Sequence, residues 1–277
     1  MSLLDGKGGI VSGAAQGLGV AFARSLAENG ADVLIFDVKD EVMKVAETLS
    51  KETGQNVIGM VADVSKRADV EKVVQTALDK LPGIDVLVNN AGTWRDTPVD
   101  SPWEQAVEDY DFIMDTNLKG VLMLSRACGP HMKGRGDANI IQVSTYYVLP
   151  AKSDGTNQPH TDLYNASKWA LNGFTDAWSK HYAEDGIRVN GLCMGAVDSP
   201  MLRNLFEGGK LPDELADVVM QPEQMGQLMI DIIAEGPGGR TGENVGAWVG
   251  EPVKLPPKKG PLERITGYNK RLDFSKA

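Results

Sequence analysis

The sequence predicts an α/β fold, a doubly wound parallel sheet of the Rossmann type in a single domain. Three observations predict it. Short Val/Ile/Leu runs alternate with amphipathic stretches from Ile10 to Val249. A glycine-rich turn separates the first such pair, and the second strand ends in a carboxylate, Asp37. No repeat or low-complexity block interrupts the alternation, and 277 residues suit one large α/β domain.

The elements follow in order. An apolar run ending at Val11 leads into Ser12-Gly13-Ala14-Ala15-Gln16-Gly17-Leu18-Gly19, and Val20, Phe22, Ala23, Leu26 and Ala27 then recur at helical spacing. This reads as strand, turn and helix. Glycines there let the backbone approach a pyrophosphate, whose charge is met by free N–H groups at the positive end of the helix. The strand from Asp32 to Phe36 ends at Asp37, 18 residues beyond Gly19, close to the spacing of a carboxylate that binds an adenosine ribose. Asp37 would accept hydrogen bonds from both ribose hydroxyls of NAD and repel the extra phosphate of NADP, so NAD is the expected cofactor. Val38 directly follows Asp37, where a phosphate-reading site would offer a base, and Lys39 is offset by Asp40. Gly8-Gly9 predicts a weakened first strand.

Tyr164 and Lys168, four residues apart, fall on one face of a predicted helix. A phenol of pKa about 10 needs about 4 kcal/mol of preferential phenolate stabilisation to titrate near 7. One cation about 4 Å away supplies roughly that at an effective dielectric of about 20. Such a base could take the proton of an alcohol while a hydride leaves its carbon. Leu171, Phe174, Trp178 and Tyr182 continue the helix as a stripe that suits either the core or a contact between subunits.

Together these residues resemble the short-chain dehydrogenase/reductase family over roughly residues 5 to 250. The glycine motif corresponds to Ser12 through Gly19, so Gly13, Gln16, Gly17, Leu18 and Gly19 are expected at the cofactor. Asp63-Val64 resembles the pair at the adenine ring, and Asn89-Asn90-Ala91-Gly92 resembles the strand-end motif that follows Val86-Leu87-Val88. Asn117, Ser144, Tyr164 and Lys168 fall in the order of the catalytic tetrad, and Gly195-Ala196-Val197-Asp198-Ser199 resembles the segment over the nicotinamide. The resemblance implies that Tyr164 is general base or acid and that Lys168 lowers its pKa and binds the nicotinamide ribose. It further implies that Ser144 orients the substrate oxygen, with Thr145 an adjacent competitor. Asn117 would hold a water, Val197 and Ser199 would contact the nicotinamide end, and Asn90, Ala91 and Gly92 would line the cofactor.

The implied activity is NAD-dependent hydride transfer between nicotinamide and a secondary alcohol or ketone, by an alcohol dehydrogenase or ketone reductase. Trp94, Tyr146, Met194, Met201, Leu202, Leu205 and Phe206 are the candidate pocket walls, and they suit a ring-bearing or alicyclic small-molecule substrate. A sugar-like substrate is the alternative. A non-catalytic NAD-binding sensor could keep the fold, but it has no need of the intact tetrad; a glycine-rich methyltransferase would share the first turn and Asp37 yet have no use for Tyr164 and Lys168. Two departures from the family stand out. Met194 replaces the usual proline and should loosen the loop over the nicotinamide, and a polar insertion at 148–160 suits either a substrate-side lid or a solvated surface excursion.

A formal charge of −10 argues against nucleic acid or anionic membrane as a partner. No apolar run approaches the length of a membrane span, and no secretion leader is apparent. Cys128 and Cys193 lie in apolar surroundings and suit a reducing cytoplasm, while His131, His160 and His181 form no ligand-spaced cluster, so no metal site is expected. Residues 1–250 form the expected Rossmann domain, followed by a Pro/Lys-rich extension, 251–277, with seven Lys/Arg against three acids. That extension suits a solvated tail or a strap over a neighbouring subunit's site, and the family habit implies a homo-oligomer, a tetramer or dimer.

Overall fold

The computed structural model describes residues 2–149 and 159–258. Most of the 148–160 insertion, including Lys152, Asp154 and Asn157, and the tail beyond Lys258 lie outside the described residues.

Seven parallel strands form one sheet in the order β3-β2-β1-β4-β5-β6-β7. They are β1 (Gly8–Ser12), β2 (Asp32–Asp37), β3 (Val57–Val61), β4 (Val86–Asn89), β5 (Ala138–Thr145), β6 (Ile187–Met194) and β7 (Asn244–Ala247). The order reverses between β1 and β4, which opens a crevice at the carboxyl ends of the strands. Because successive strand side chains face opposite ways, one sequence feeds two cores. Val11, Val33 and Ile35 pack against α1 (Gly17–Glu28), α2 (Glu41–Thr53) and α9 (Pro222–Ala234). Ile10, Leu34 and Phe36 face α3 (Arg67–Lys80) and α5 (Val121–Met132) on the other side.

β1 pairs along its whole length with β2, from Gly8 opposite Asp32 to Ser12 opposite Phe36, despite its two glycines. The glycine has a steric reason: a Cβ at residue 8 would overlap the Gly83 carbonyl and lie 3.1 Å from Leu81 Cβ. Beside it, buried Asp85 accepts from Gly8 N at 2.9 Å, from Lys7 Nζ at 3.0 Å and from Arg135 through two nitrogens at 2.9 and 3.0 Å. Burial opposes ionisation of Asp85, but Arg135, the Gly8 N–H and Lys7 outweigh it and hold the carboxyl below its ordinary range.

Met194 is likewise not loose. It closes β6, lies opposite Thr145 on one side and Ala247 on the other, and is followed by a hydrogen bond from Gly195 N to Ala247 O. The ladder supplies the restraint expected of a proline.

Leu171 of α6 (Asp162–His181) and Tyr182 just past its end are buried in the chain's own core, and Phe174 stacks on Trp178 at 4.4 Å. An exposed apolar stripe lies on α4 (Trp103–Met114), at Trp103, Val107 and Tyr110. Beyond β7, Val253 and Leu255 pack against the core, and buried Arg240 donates to Pro256 O at 2.9 Å, so the first part of the tail lies on its own domain.

Candidate active site

The glycine turn sits at the switch point because β4 holds it there. Ser12 Oγ accepts from Asn90 N and Ala91 N, both at 3.0 Å, and Asn90 Nδ2 donates to Ser12 O and Gly13 O at 2.9 Å. Gly13 has φ 68°, and a Cβ on it would come within 2.7 Å of Ala91 Cα; one on Gly19 would lie 2.7 Å from Ala14 Cα. Only glycine lets these backbones meet. The first turn of α1 has no side-chain cap and no acidic residue, so its N–H groups face the crevice without a competing anion. That donor set fits a pyrophosphate.

Asp37 projects from the end of β2, where Oδ2 accepts from Ala15 N and Oδ1 from Lys39 N, each at 3.1 Å. Lys39 reaches back across the mouth of the site, its Nζ donating to Gln16 Oε1 at 3.3 Å. Although Asp40 offsets Lys39 in the sequence, the fold sets the Lys39 ammonium beside Gln16 at the edge of the site.

A cleft of about 480 Å³ runs from this edge across the sheet. Its lining brings together Gly13, Gln16, Gly17, Leu18, Asp37, Asn90, Ala91, Gly92, Ser144, Tyr164, Lys168, Val197 and Ser199. Gly19 and Asn117 are buried behind it. Asp63 and Val64 do not line it: the Asp63 carboxylate is taken by Ser65 N and Oγ at 2.9 and 2.7 Å, and a Cβ at Gly120 would touch Val64 at 2.7 Å.

Tyr164 and Lys168 share α6, as their spacing predicts. The ammonium donates to Val143 O at 3.0 Å and lies 5.7 Å from the centre of the Tyr164 ring. The expected lowering of the phenol is not found here. Burial, reinforced by the nearby Tyr147, pushes the Tyr164 hydroxyl up, and burial brings Lys168 down to about 8. The physical reason is that protein displaces the water that would solvate a phenolate, while Lys168 directs a hydrogen bond to the Val143 carbonyl.

Ser144 Oγ is buried without a hydrogen-bond partner. Thr145 Oγ, its competitor, accepts from Tyr147 N at 3.5 Å and caps a short 3-10 turn at Tyr146–Val148. An orphan hydroxyl in a cleft beside a phenol fits a substrate oxygen. Asn117 sits in a π-helical turn, Asp115–Gly120, whose wider pitch points its amide at the 93 loop. Its Oδ1 accepts from Thr93 N at 2.8 Å, while Nδ2 donates to Thr93 O at 2.9 Å and to Ser167 Oγ at 3.1 Å. Ser167 in turn donates to Tyr164 O, so Asn117 anchors the Tyr164–Lys168 stretch of α6 to the loop at residue 93.

On the substrate side, Trp94, Tyr146, Met194, Met201, Leu202 and Leu205 line the cleft. Phe206 does not, because the helix α7 (Pro200–Arg203) that Ser199 caps is a single turn and the chain has changed direction by residue 206. Tyr147 is a lining residue that the sequence reading missed: its orientation depends on the 3-10 turn, for which the sequence carries no periodic signal.

The inserted loop returns to the fold beside this region, with Thr97 N donating to His160 O at 2.7 Å. Among the described residues no His/Cys/Asp/Glu group could hold a metal ion, and no helix is long and apolar enough to cross a membrane. The side chains of Cys128 and Cys193 are both buried.

Comparison with known proteins agrees with this geometry. The family model for short chain dehydrogenases matches residues 8–210. The chain is 34% identical to the oxidoreductase UcpA of Salmonella typhimurium over 80% of each chain. It is 30% identical to the 3-oxoacyl-[acyl-carrier-protein] reductase FabG of Thermotoga maritima, covering 88% of this chain and 96% of that one. A solved 3-ketoacyl-(acyl-carrier-protein) reductase from Brucella melitensis, complexed with NADH, superposes with a TM-score of 0.73 at 27% identity, covering 89% of this chain and 98% of that one. The glycine turn at the sheet's switch point, the Tyr164–Lys168 helix and these matches share one explanation: the chain belongs to the short-chain dehydrogenase family of nicotinamide-binding oxidoreductases.

Proposed function

We propose that the protein is an NAD-dependent enzyme that interconverts a secondary alcohol and a ketone, with Ser144, Tyr164 and Lys168 acting on substrate and cofactor and Asn117 positioning them. The observation that carries this reading is the unpartnered, buried Ser144 hydroxyl sharing a cleft with Tyr164. The nicotinamide, when bound, supplies or accepts the hydride.

The chain's own residues do the rest. In reduction, Tyr164 donates its proton to the carbonyl oxygen as charge develops there; burial keeps the phenol protonated, which is the form this step needs. Ser144 Oγ donates to the same oxygen and stabilises its charge. In oxidation Tyr164 accepts the proton, and Lys168 opposes the cost of the phenolate once its ammonium turns toward the ribose and the ring. The Asn117 side chain is committed to Thr93 and Ser167, so any water it holds for proton relay would sit on its main-chain carbonyl.

NAD is favoured because the Asp37 carboxylate stands at the end of β2, where it would meet the ribose hydroxyls and repel a 2′-phosphate. Lys39 is the observation that favours a second reading, in which NADP is tolerated, since its ammonium lies at Gln16. Solved structural neighbours include both cofactors, NADH in the Brucella melitensis reductase and NADPH in an L-sorbose reductase from Gluconobacter frateurii, so they do not choose between the two readings. Gly13, Gln16, Gly17 and Leu18 would hold the pyrophosphate, Asn90, Ala91 and Gly92 the central part, and Val197 and Ser199 the carboxamide. The half-apolar walls Trp94, Tyr146, Met194, Met201 and Leu205 suit a ring-bearing ketone. The exposed Trp103, Val107 and Tyr110 stripe suits a homo-oligomer contact.

A screen of secondary alcohols and ketones, read at the absorbance band of reduced nicotinamide with NADH and NADPH in parallel, tests the proposal. Turnover of a cyclic ketone with NADH preferred supports it. Cofactor binding without turnover of any alcohol or ketone refutes it.

A further inference from the structure

Tyr147 is a second phenol in the cleft, and the reaction proposed above does not use it. Its neighbour Tyr146 is fixed from three sides. The Tyr146 ring lies 4.7 Å from the Tyr147 ring, meets Trp248 edge-on at 5.8 Å, and packs on Gly195, where a Cβ would come within 3.4 Å of it. Burial, reinforced by the neighbouring Tyr147 hydroxyl, pushes the Tyr146 hydroxyl up to about 12. A phenol carries one donor and acceptor lone pairs, so a bond between the two leaves Tyr147 with capacity for a further partner. Tyr147 shares the lining of the cleft with Ser144 and Tyr164. Ser144 and Tyr164 already converge on the reacting oxygen.

We propose that Tyr147, held by Tyr146, binds a second oxygen of the substrate beside the reacting carbonyl, and that the enzyme therefore selects vicinal hydroxyketones and diols over simple ketones and alcohols. The inference rests on the ketone–alcohol reading above and specifies its substrate class. A ketone without a neighbouring oxygen would cover the Tyr147 hydroxyl and leave its second hydrogen bond unmade, and sites built around a hydroxyl reject analogues that lack it. The rings of Tyr146 and Tyr147 also offer a face to a flat or cyclic carbon skeleton, in keeping with the size of the cleft.

The test compares 2-hydroxycyclohexanone, 4-hydroxycyclohexanone and cyclohexanone as substrates of the wild-type chain and of Tyr147→Phe, with reduced nicotinamide consumption as the readout. In the wild type, kcat/KM for the 2-hydroxy compound should exceed those of the other two by about 10- to 100-fold, chiefly through KM. In Tyr147→Phe that preference should collapse toward one, with the melting temperature showing that the variant is folded. Tyr146→Phe, which removes only the orienting partner, should lower the preference by a smaller factor and serves if Tyr147→Phe does not fold. Equal use of the three ketones by the wild type, or a preference that survives in both variants, overturns the inference and leaves the reaction class standing. Failure of the wild type to turn over any of them while it still binds NADH overturns the reaction class and the inference together.

Discussion

The Lys168 ammonium donates to the Val143 carbonyl at 3.0 Å while lying 5.7 Å from the centre of the Tyr164 ring. Lysine is therefore stored in the strand–helix seam, charged and nearly buried, with one hydrogen bond to a neutral acceptor. A buried ammonium so sparsely partnered is costly, which is why its pKa falls to about 8.

That depression makes a stability prediction. Between about 8 and the ordinary 10.5 the unfolded chain holds a proton on Lys168 that the folded chain has lost, so folding is favoured increasingly as pH rises through this window. Wild type should gain melting temperature relative to Lys168→Met between pH 8 and 10.5. A difference that stays flat across that range would show that the ammonium is not penalised.

Asp85 predicts the opposite end of the scale. Its folded pKa lies below the ordinary 3.8, so its contribution is present above that value and is lost as pH falls through the depressed folded pKa. Asp85→Asn should cost about 3 kcal/mol at pH 7 by breaking a buried charge pair. In thermal melts the gap between wild type and variant should close at low pH. A gap that persists there would assign the loss to packing rather than to charge.

Ser144 and Thr145 are separated by their partners. Ser144→Ala removes an unengaged hydroxyl from the reaction cleft and should lower kcat about 100-fold with little change in melting temperature. Thr145→Val removes a turn-capping acceptor and should act mainly on stability. Steady-state kinetics on both variants decides, and a larger kcat loss at Thr145 would reverse the assignment.

Cofactor choice turns on Asp37 against Lys39. Asp37→Ala should weaken NADH binding and narrow its advantage over NADPH, while Lys39→Ala should widen it, each read as a ratio of dissociation constants at matched salt. Preference of the wild type for NADPH would show that the Lys39 ammonium outweighs the Asp37 carboxylate.

These residues also show what the sequence could convey. Ser12 to Gly19, Asp37 and the Tyr164–Lys168 pair were legible because each depends on local spacing within one turn, strand or helix, and the sheet follows from the alternation of such units. What depends on distant partners was not. Asp85 meets Arg135 fifty positions away, and nothing local marks either one as buried. The electrostatics of Tyr164 required knowing that Lys168 bonds to Val143, twenty-five positions earlier. Phe206 was misplaced because hydrophobicity gives no direction once a helix is only four residues long, and Tyr147 was overlooked for the same reason in a 3-10 turn.

The central claim is that Tyr164 moves the proton, and Tyr164→Phe tests it most directly because only the hydroxyl is lost. With a ketone that the wild type reduces, kcat should fall by at least about 100-fold, while NADH fluorescence titration gives a dissociation constant close to that of the wild type. A variant that binds NADH and turns over at a rate near the wild type's would contradict the account.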